Sequence, residues 1–296
     1  MKSFIQDQNI AVYDGKKFKL KNYDTNYTDG LNKEKGKTEF EKIKAKLAEW
    51  QDKLYAQDKF SLLLVFQAID AAGKDGTIKS VMTGVNPQGC QVVSFKKPTH
   101  LEIDHDFLWR CYKELPARGN IGIFNRSYYE EVLVTRVHPE YILGQKLPHI
   151  KSVKNINEHF WQQRFETIRN FEKSLVENGT IILKFFLNVS KDVQKERFLE
   201  RIEAPEKNWK FSYYDLQERK LWDEYQNAYE QTIINTATSY APWFVIPSDK
   251  NWLRNLSVCS IVYETLKSMG LDYPVIDDET RDLLEKGKQE LRNEGI

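Results

Sequence analysis

One continuous apolar run, SLLLVFQAI at 61–69, constrains the fold of this chain more than any other segment. A run of this length that ends at a glycine-containing turn is typical of a strand buried on both faces of a parallel sheet. Shorter apolar runs follow it, and helix-length segments separate them. This alternation predicts βαβ units and an α/β fold with a central, mostly parallel five-stranded sheet. The predicted strands are 61–69, 90–95, 121–125, 180–187 and 241–246.

The helical segments and the two ends of the chain set the expected domain limits. Helices are predicted at 33–54, 100–115, 153–178, 190–203, 213–239 and 251–269. The first of them carries apolar residues at spacings of three and four, as an amphipathic helix does. We expect a polar N-terminal extension over 1–32, one large domain over 33–273 and a charged, surface-helical tail over 274–296.

Composition narrows the classes of function. The 296 residues carry a net charge of only +1, so a site for a polyanion must come from local clusters of lysine and arginine. The three cysteines lack CxxC spacing and the five histidines lack metal-ligand spacing, which argues against a disulfide framework and a zinc site. No apolar run has the length of a signal peptide or a membrane span. We therefore expect a cytoplasmic protein with no membrane or nucleic-acid partner.

The segment FQAIDAAGKDGT at 66–77 has the pattern of a phosphate-binding loop. A strand runs into a glycine turn and then a helix, whose first N–H groups and dipole attract a phosphate. Lys74 would neutralise phosphoryl oxygens. The expected phosphate-binding residues here are Ala71, Ala72, Gly73, Lys74, Asp75, Gly76 and Thr77.

This loop departs from the G-x-x-x-x-G-K-[ST] pattern at two positions. Ala68 replaces the first glycine, and Asp75 replaces the serine or threonine that holds Mg²⁺. Asp70 is then the nearest candidate metal ligand. The alternatives are that Asp70 caps the following helix and that Lys74 is a solvated lysine beside an ordinary turn.

A second candidate cluster follows the predicted strand 121–125. Asn125 ends that strand and Arg126 comes next, at the sheet edge where α/β proteins bind ligands. Arginine can direct two donors at one phosphate, so Arg126 is a candidate phosphate ligand. Glu131 lies further on and is a candidate metal ligand. Alternatively, Arg126 is a surface ion-pair partner and Glu131 part of a solvated helix face.

Basic residues concentrate between about 197 and 222, where we predict a mobile helical lid. Phosphoryl transfer needs cations over the reacting phosphates and exclusion of water, and lids of phosphate-loop kinases supply both. The alternative is a solvated charged face. The clustered cations are Arg197, Arg201, Lys207, Lys210, Arg219 and Lys220, of which Arg201, Lys207 and Lys210 are the expected polyphosphate contacts.

Five segments together resemble the polyphosphate kinase 2 family, in order over roughly residues 10–270. The resemblance implies a three-layer, thymidylate-kinase-like P-loop fold with a helical lid. It implies Mg²⁺ as the metal, with Mn²⁺ as a substitute, and assembly into homodimers or homotetramers. The segments are DAAGKDGTIK (70–79), GVNPQGCQVVSFKKPT (84–99), IFNRSYYEEVLVTRV (123–137), ILKFFLNVSKDVQKERFLERIEAPEKNWKF (182–211) and YAPWFVIPSDKNWLRN (240–255).

The resemblance also implies roles for single residues. Asp70 and Lys74 match the family's loop residues, and Arg126 matches its strand-end arginine. Asn125 resembles the branch called class III, which accepts both AMP and ADP. Together these four form the expected catalytic set, with Asp70 and Glu131 as metal ligands. Glu131 stands where that branch often has aspartate, and its longer side chain would shift the ion.

The resulting hypothesis is reversible, Mg²⁺-dependent phosphoryl transfer from inorganic polyphosphate to AMP, ADP and guanine nucleotides, with ATP as a product. In-line displacement between charged phosphates depends on positioning and charge neutralisation. One alternative is a nucleoside monophosphate kinase with ATP as donor, which shares the fold. The other is a non-catalytic protein that binds polyphosphate or nucleotide.

Overall fold

In the computed structural model, residues 10–294 are described, and they build one six-stranded sheet with the order β1-β6-β5-β2-β4-β3. Strands β2 to β6 run parallel, and β1 pairs antiparallel with β6. The mostly parallel sheet is therefore confirmed. The strands are β1 (Ala11–Val12), β2 (Ser61–Gln67), β3 (Cys90–Ser94), β4 (Ile121–Asn125), β5 (Thr180–Asn188) and β6 (Trp243–Pro247).

Helices cover both faces of this sheet and form most of the connections between its strands. The α-helices are α1 (Lys33–Gln57), α2 (Lys74–Met82), α3 (His100–Ile103), α4 (Trp109–Tyr112), α5 (Val134–Val137), α6 (Glu140–Leu143), α7 (Glu158–Glu177), α8 (Lys191–Glu203), α9 (Tyr213–Glu218), α10 (Trp222–Thr236), α11 (Asn251–Ser268) and α12 (Asp278–Asn293). Short 3-10 turns occupy Gly15–Lys17, Leu20–Asn22, Pro87–Gly89, Tyr128–Glu131, Val153–Asn155, Pro205–Lys210 and Arg219–Leu221.

Strand β2 lies inside the sheet between β4 and β5, and all seven of its residues are buried. Its side chains alternate between two cores because successive residues of a strand point to opposite faces. Leu63 and Val65 join a core that includes residues of α7 and α10. Leu62 and Leu64 join the core on the other face, beside α1 and α11. This double burial explains the uninterrupted apolar sequence and gives three layers.

Three details differ from the sequence prediction. The sixth strand, β1, has only two residues, too few to produce a periodic pattern. The predicted helix 100–115 is two short helices, and Asp106 Oδ1 between them accepts a hydrogen bond from the Leu108 N–H at 2.9 Å. Such local side-chain bonds compete with helix formation. The predicted helix 213–239 is divided into α9, a 3-10 turn and α10.

The two ends of the chain behave differently. Within the predicted extension 1–32, residues 1–9 lie outside the described part, while Val12, Phe18 and Leu20 are buried in the core. In the charged tail, α12 has no buried residue. Across residues 10–294, none of the helices has the length and apolar content that a membrane span requires.

Candidate active site

The loop between β2 and α2 has a backbone that few sequences can adopt. Ala71 (φ 59°) and Gly73 (φ 104°) both lie in the left-handed region. A Cβ atom at Gly73 would lie 2.3 Å from Nη1 of Arg254, so the space is already filled. Gly73 is therefore required both by its backbone angle and by this close approach. The loop ends with Gly73 as the N-cap of α2, whose first turn presents its free N–H groups.

The side chain of Lys74 folds back and hydrogen-bonds to the backbone of its own loop. Its Nζ donates to the carbonyl oxygens of Ala68 at 2.7 Å and Ile69 at 3.4 Å. Burial, together with the nearby charge of Arg126, lowers the pKa of Lys74 to about 8. An arriving phosphate would reverse this effect, since an anion favours the charged form of lysine.

Arg126 follows the end of β4 and faces the loop. Its backbone is left-handed (φ 66°), and its N–H donates to the Phe66 carbonyl oxygen at 3.0 Å. Its Nη2 donates to Asp70 Oδ1 at 2.8 Å, while Nη1 lies 3.6 Å from Glu130 Oε2. The carboxylates of Glu130 and Asp70 raise the pKa of Arg126, so the guanidinium is held fully charged. These two carboxylates therefore fix the orientation of the Arg126 guanidinium at the site.

Asn125 connects the end of β4 to the first turn of α2. Its Nδ2 donates to Asp75 Oδ1 at 2.6 Å and lies 3.5 Å from Ser94 Oγ. Asp75, which replaces the usual serine or threonine, is thus held by a side-chain amide.

These elements enclose a groove of about 650 Å³, called here the phosphate groove. Its lining includes eleven of the residues predicted from sequence, and it is strongly basic, with nine lysine and arginine side chains against three acidic ones. The predicted members are Asp70, Ala71, Gly73, Lys74, Asp75, Gly76, Asn125, Arg126, Arg201, Lys207 and Lys210.

A second cavity of about 590 Å³, called here the side cavity, adjoins the phosphate groove. Its walls are largely apolar and include Phe95, Ile103 and Tyr141. Thr135 also lines this cavity, and its hydroxyl is buried and has no hydrogen-bond partner among the described residues. Arg126 lines both spaces and therefore stands at their junction.

Comparison with known proteins identifies the family. The family model described as Polyphosphate kinase 2 (PPK2) matches residues 30–273. The chain belongs to the polyphosphate kinase 2 family.

Named relatives of this polyphosphate kinase 2 chain agree with that assignment. It is 48% identical over 246 residues to the ADP-polyphosphate phosphotransferase of Rhodopseudomonas palustris, covering 83% of this chain and 84% of that relative. It is 45% identical over 261 residues to the AMP/ADP-polyphosphate phosphotransferase of Meiothermus ruber, covering 87% and 92%. Polyphosphate Kinase 2 from Arthrobacter aurescens TC1 superposes with a TM-score of 0.83 at 38% identity, covering 93% and 95%. That match confirms the predicted fold class.

Three predicted residues of this polyphosphate kinase 2 chain lie outside the groove lining. Ala72 in the loop and Thr77 in α2 are both buried, and the Thr77 hydroxyl donates to the Gly73 carbonyl oxygen at 3.0 Å. Glu131 lines the side cavity instead, with Oε2 3.6 Å from Arg164 Nη1 and accepting a hydrogen bond from Gln145 Nε2. Burial raises the pKa of Glu131. Its metal role stays a prediction.

The predicted lid residues are held by contacts within the lid segment itself. Arg201 Nη1 lies 3.4 Å from Asp215 Oδ2, and Lys207 Nζ donates to Glu200 Oε1. Lys210 lies over the Trp209 ring at 4.9 Å from its centroid. All three cations line the phosphate groove, and their contact with a substrate stays a prediction.

Sequence reasoning missed several cations of the groove. Lys96 and Lys97 come two and three residues after the end of β3, so their place after a strand end was an available signal. Arg254 gave no such signal, because it lies within the mostly buried helix α11. Arg197, named only as a lid cation, donates to the Ala71 and Ala72 carbonyl oxygens at 3.1 and 2.9 Å.

The acidic side chains limit how a divalent ion could bind. Within residues 10–294, no group of three or more His, Cys, Asp and Glu side chains is arranged to hold a metal. Mg²⁺ usually binds one or two carboxylates together with substrate phosphates and water, so three are unnecessary. Asp70 meets that requirement, because it is partly exposed and lines the phosphate groove beside Lys74. The donor set fits an ion that arrives with its phosphate substrate.

Proposed function

We propose that this protein transfers phosphoryl groups reversibly between inorganic polyphosphate and the adenine nucleotides AMP, ADP and ATP. Polyphosphate lies in the phosphate groove, and the nucleoside part of the nucleotide lies in the side cavity. The observation that carries this proposal is the position of Arg126, which lines both spaces. A guanidinium at that junction can bind the phosphoryl group as it passes from one substrate to the other.

The charge of the phosphate groove supports polyphosphate as donor. Nine basic side chains line it, whereas the whole chain carries a net charge of only +1. Such local concentration of one sign attracts a polyanion and raises its local concentration. The walls of the side cavity, by contrast, suit the flat and partly apolar surface of a base and ribose.

The chemistry follows from these positions. A terminal phosphate oxygen of the nucleotide attacks the terminal phosphorus of polyphosphate in line, and the shortened polyphosphate leaves on the opposite side. The attacking oxygen is already ionised at neutral pH, so no strong general base is required. Lys74, Arg126 and the loop N–H groups neutralise the charge of the transferring group, and this electrostatic stabilisation supplies most of the catalysis.

Asp70 would hold Mg²⁺, or Mn²⁺ as a substitute. When bound, the ion neutralises and orients phosphate oxygens. Arg126 already contacts Asp70 at 2.8 Å, so this arginine fixes the carboxylate that would receive the ion.

Both AMP and ADP are proposed acceptors. Asn125 places a neutral amide at the end of β4, where a carboxylate would repel an acceptor phosphate. The Meiothermus ruber relative is named for both nucleotides, which supports the same choice.

A single reaction mixture tests the proposal. Purified protein is incubated with long-chain polyphosphate, Mg²⁺ and AMP, without ATP, and nucleotides are separated by chromatography over time. We expect ADP first and ATP second. Arg126→Ala, which removes one of the cations that line both spaces, is the matched control and should abolish both products. Formation of ADP only after ATP is added would instead identify an ordinary nucleoside monophosphate kinase.

A further inference from the structure

Arg254 lies directly beneath the phosphate-binding loop and is only 3% exposed. Its side chain comes from α11 and donates three hydrogen bonds. The acceptors are the Ala72 carbonyl oxygen at 3.0 Å, Asn251 Oδ1 at 2.9 Å and Thr77 Oγ1 at 2.5 Å.

This buried guanidinium has no anionic partner. No aspartate or glutamate among residues 10–294 forms an ion pair with Arg254 within 4 Å. Its charged neighbour is Arg197, and burial together with that like charge lowers the pKa of Arg254 to about 9. Burial of an unpaired charge destabilises a folded protein, so stability does not explain why a charged residue lies at this position.

Hydrogen bonding to the loop does not explain why a buried charge is present at this position. The groups that accept hydrogen bonds from Arg254 have other hydrogen-bond partners as well. The Ala72 carbonyl oxygen also accepts from Arg197 Nη1 at 2.9 Å, and Asn251 Oδ1 accepts from Arg197 Nη2 at 3.0 Å. The Thr77 hydroxyl keeps its own bond to the Gly73 carbonyl oxygen at 3.0 Å. Removal of the Arg254 side chain would leave none of these groups without a partner.

The Arg254 guanidinium lies against the phosphate-binding loop at Gly73. Nη1 lies 2.3 Å from the site that a Gly73 Cβ would occupy. Gly73 is the N-cap of α2, where free N–H groups and the helix dipole already attract an anion. Arg254 also lines the phosphate groove. A positive charge is thereby placed immediately behind the expected position of the bound phosphate.

We propose that Arg254 is a phosphate-binding residue of this polyphosphate kinase, whose buried and unpaired charge attracts the phosphate held by the loop. The inference depends on the proposed function, since polyphosphate must bind in this groove. The charge is destabilising in the empty protein and is compensated when the polyanion arrives.

Removal of the Arg254 charge should weaken polyphosphate binding without lowering the stability of the protein. Arg254→Met keeps a similar volume and removes the charge, so its melting temperature should equal or exceed that of the wild type. Its Kd for polyphosphate should rise by about 10- to 100-fold, as expected for loss of a unit charge several ångströms from the ligand in a partly buried site. Arg254→Lys, which keeps the charge, should bind within about threefold of the wild type.

The experiment combines titration calorimetry with inorganic polyphosphate of defined length and differential scanning calorimetry of each full-length variant. Arg169→Met is the control, because Arg169 is a partly buried arginine that donates to the Asn235 carbonyl oxygen and lines neither the phosphate groove nor the side cavity. That variant should lose stability and keep the wild-type Kd.

Two results would overturn the proposal. One is an Arg254→Met variant that binds polyphosphate as tightly as the wild type. The other is an Arg254→Met variant that is insoluble or melts well below the wild type while Arg254→Lys folds normally, since the charge would then serve the fold. If the wild type itself binds no polyphosphate, the proposed function fails first, and the two failures are thus distinguished.

Discussion

The side-chain amide of Asn125 donates a 2.6 Å hydrogen bond to the carboxylate of Asp75, joining the end of β4 to the first turn of α2. Asn125→Asp would turn this bond into a contact between two carboxylates, which raises the pKa of the pair. We expect kcat/KM for AMP to fall about tenfold at pH 8 and to recover as the pH is lowered, because protonation of one carboxylate restores a donor. Initial rates between pH 5.5 and 8.5 test this.

Asn125→Ala is the control for that experiment. It removes the hydrogen bond without adding a charge, so its defect should not depend on pH. A constant ratio of Asn125→Asp to wild-type activity across the range would contradict the interpretation.

Lys74 should be indispensable for turnover but not for folding. Lys74→Ala removes a preorganised charge worth about 3 kcal/mol or more in the transition state, so kcat should fall at least 100-fold. Its bonds to Ala68 and Ile69 also close the loop, so a modest loss of stability is expected. Steady-state kinetics and circular dichroism measure the two effects. A folded variant with near wild-type kcat would rule out the phosphate-loop assignment.

The lowered pKa of Lys74 predicts a pH effect with a definite sign. This pKa is about 8 in the folded protein, against 10.5 for an ordinary lysine. Between those values the unfolded chain binds more protons, so the free energy of unfolding rises with pH. Polyphosphate favours the charged lysine, so its affinity should fall as pH increases through about 8. Binding near pH 8.5 should take up protons.

Titration calorimetry in two buffers of different ionisation enthalpy measures this uptake. Lys74→Arg is the control, because arginine stays charged throughout and should abolish the uptake. Identical heats in both buffers for the wild type would show that Lys74 does not titrate on binding.

The lid cations should make polyphosphate binding depend on salt. If Lys207 and Lys210 contact the polyanion, their replacement by alanine should flatten the plot of log Kd against log salt by about one to two units, by analogy with counterion release from nucleic acids. Lys42 and Lys46 on the exposed face of α1 provide a double-alanine control that should leave the slope unchanged. Equal slopes for wild type and the lid variant would mean that these lysines face solvent.

The sequence predicted the parts of this protein that depend on burial and local pattern. The run 61–69 identifies β2 because a strand covered on both faces has no polar alternation to obscure it. Asp70, Lys74 and Arg126 were predicted to lie together because they follow strand ends, which parallel strands bring to one edge of the sheet, and all three line the phosphate groove. Five of the six strands in the described residues followed from such signals.

The remaining features depend on contacts between distant parts of the chain. Whether Glu131 faces the groove or the side cavity is decided by Arg164 and Gln145, which lie outside its own segment. In the sequence, Arg254 is simply one polar residue of a core helix. Only the folded structure shows that its side chain lies against Gly73. Neither relationship has a periodic or motif-like trace in the sequence.

The short strand β1 has a practical consequence for recombinant work on this enzyme. The Val245 N–H donates to the Ile10 carbonyl oxygen at 2.8 Å, and the pairing of Ala11–Val12 covers the outer edge of β6, whose five residues are all buried. A truncation that begins at Lys33 would leave that edge open to another chain. Uncovered apolar edges promote intermolecular pairing. Aggregation during purification is therefore the expected fate of a minimal kinase domain cut at the start of α1.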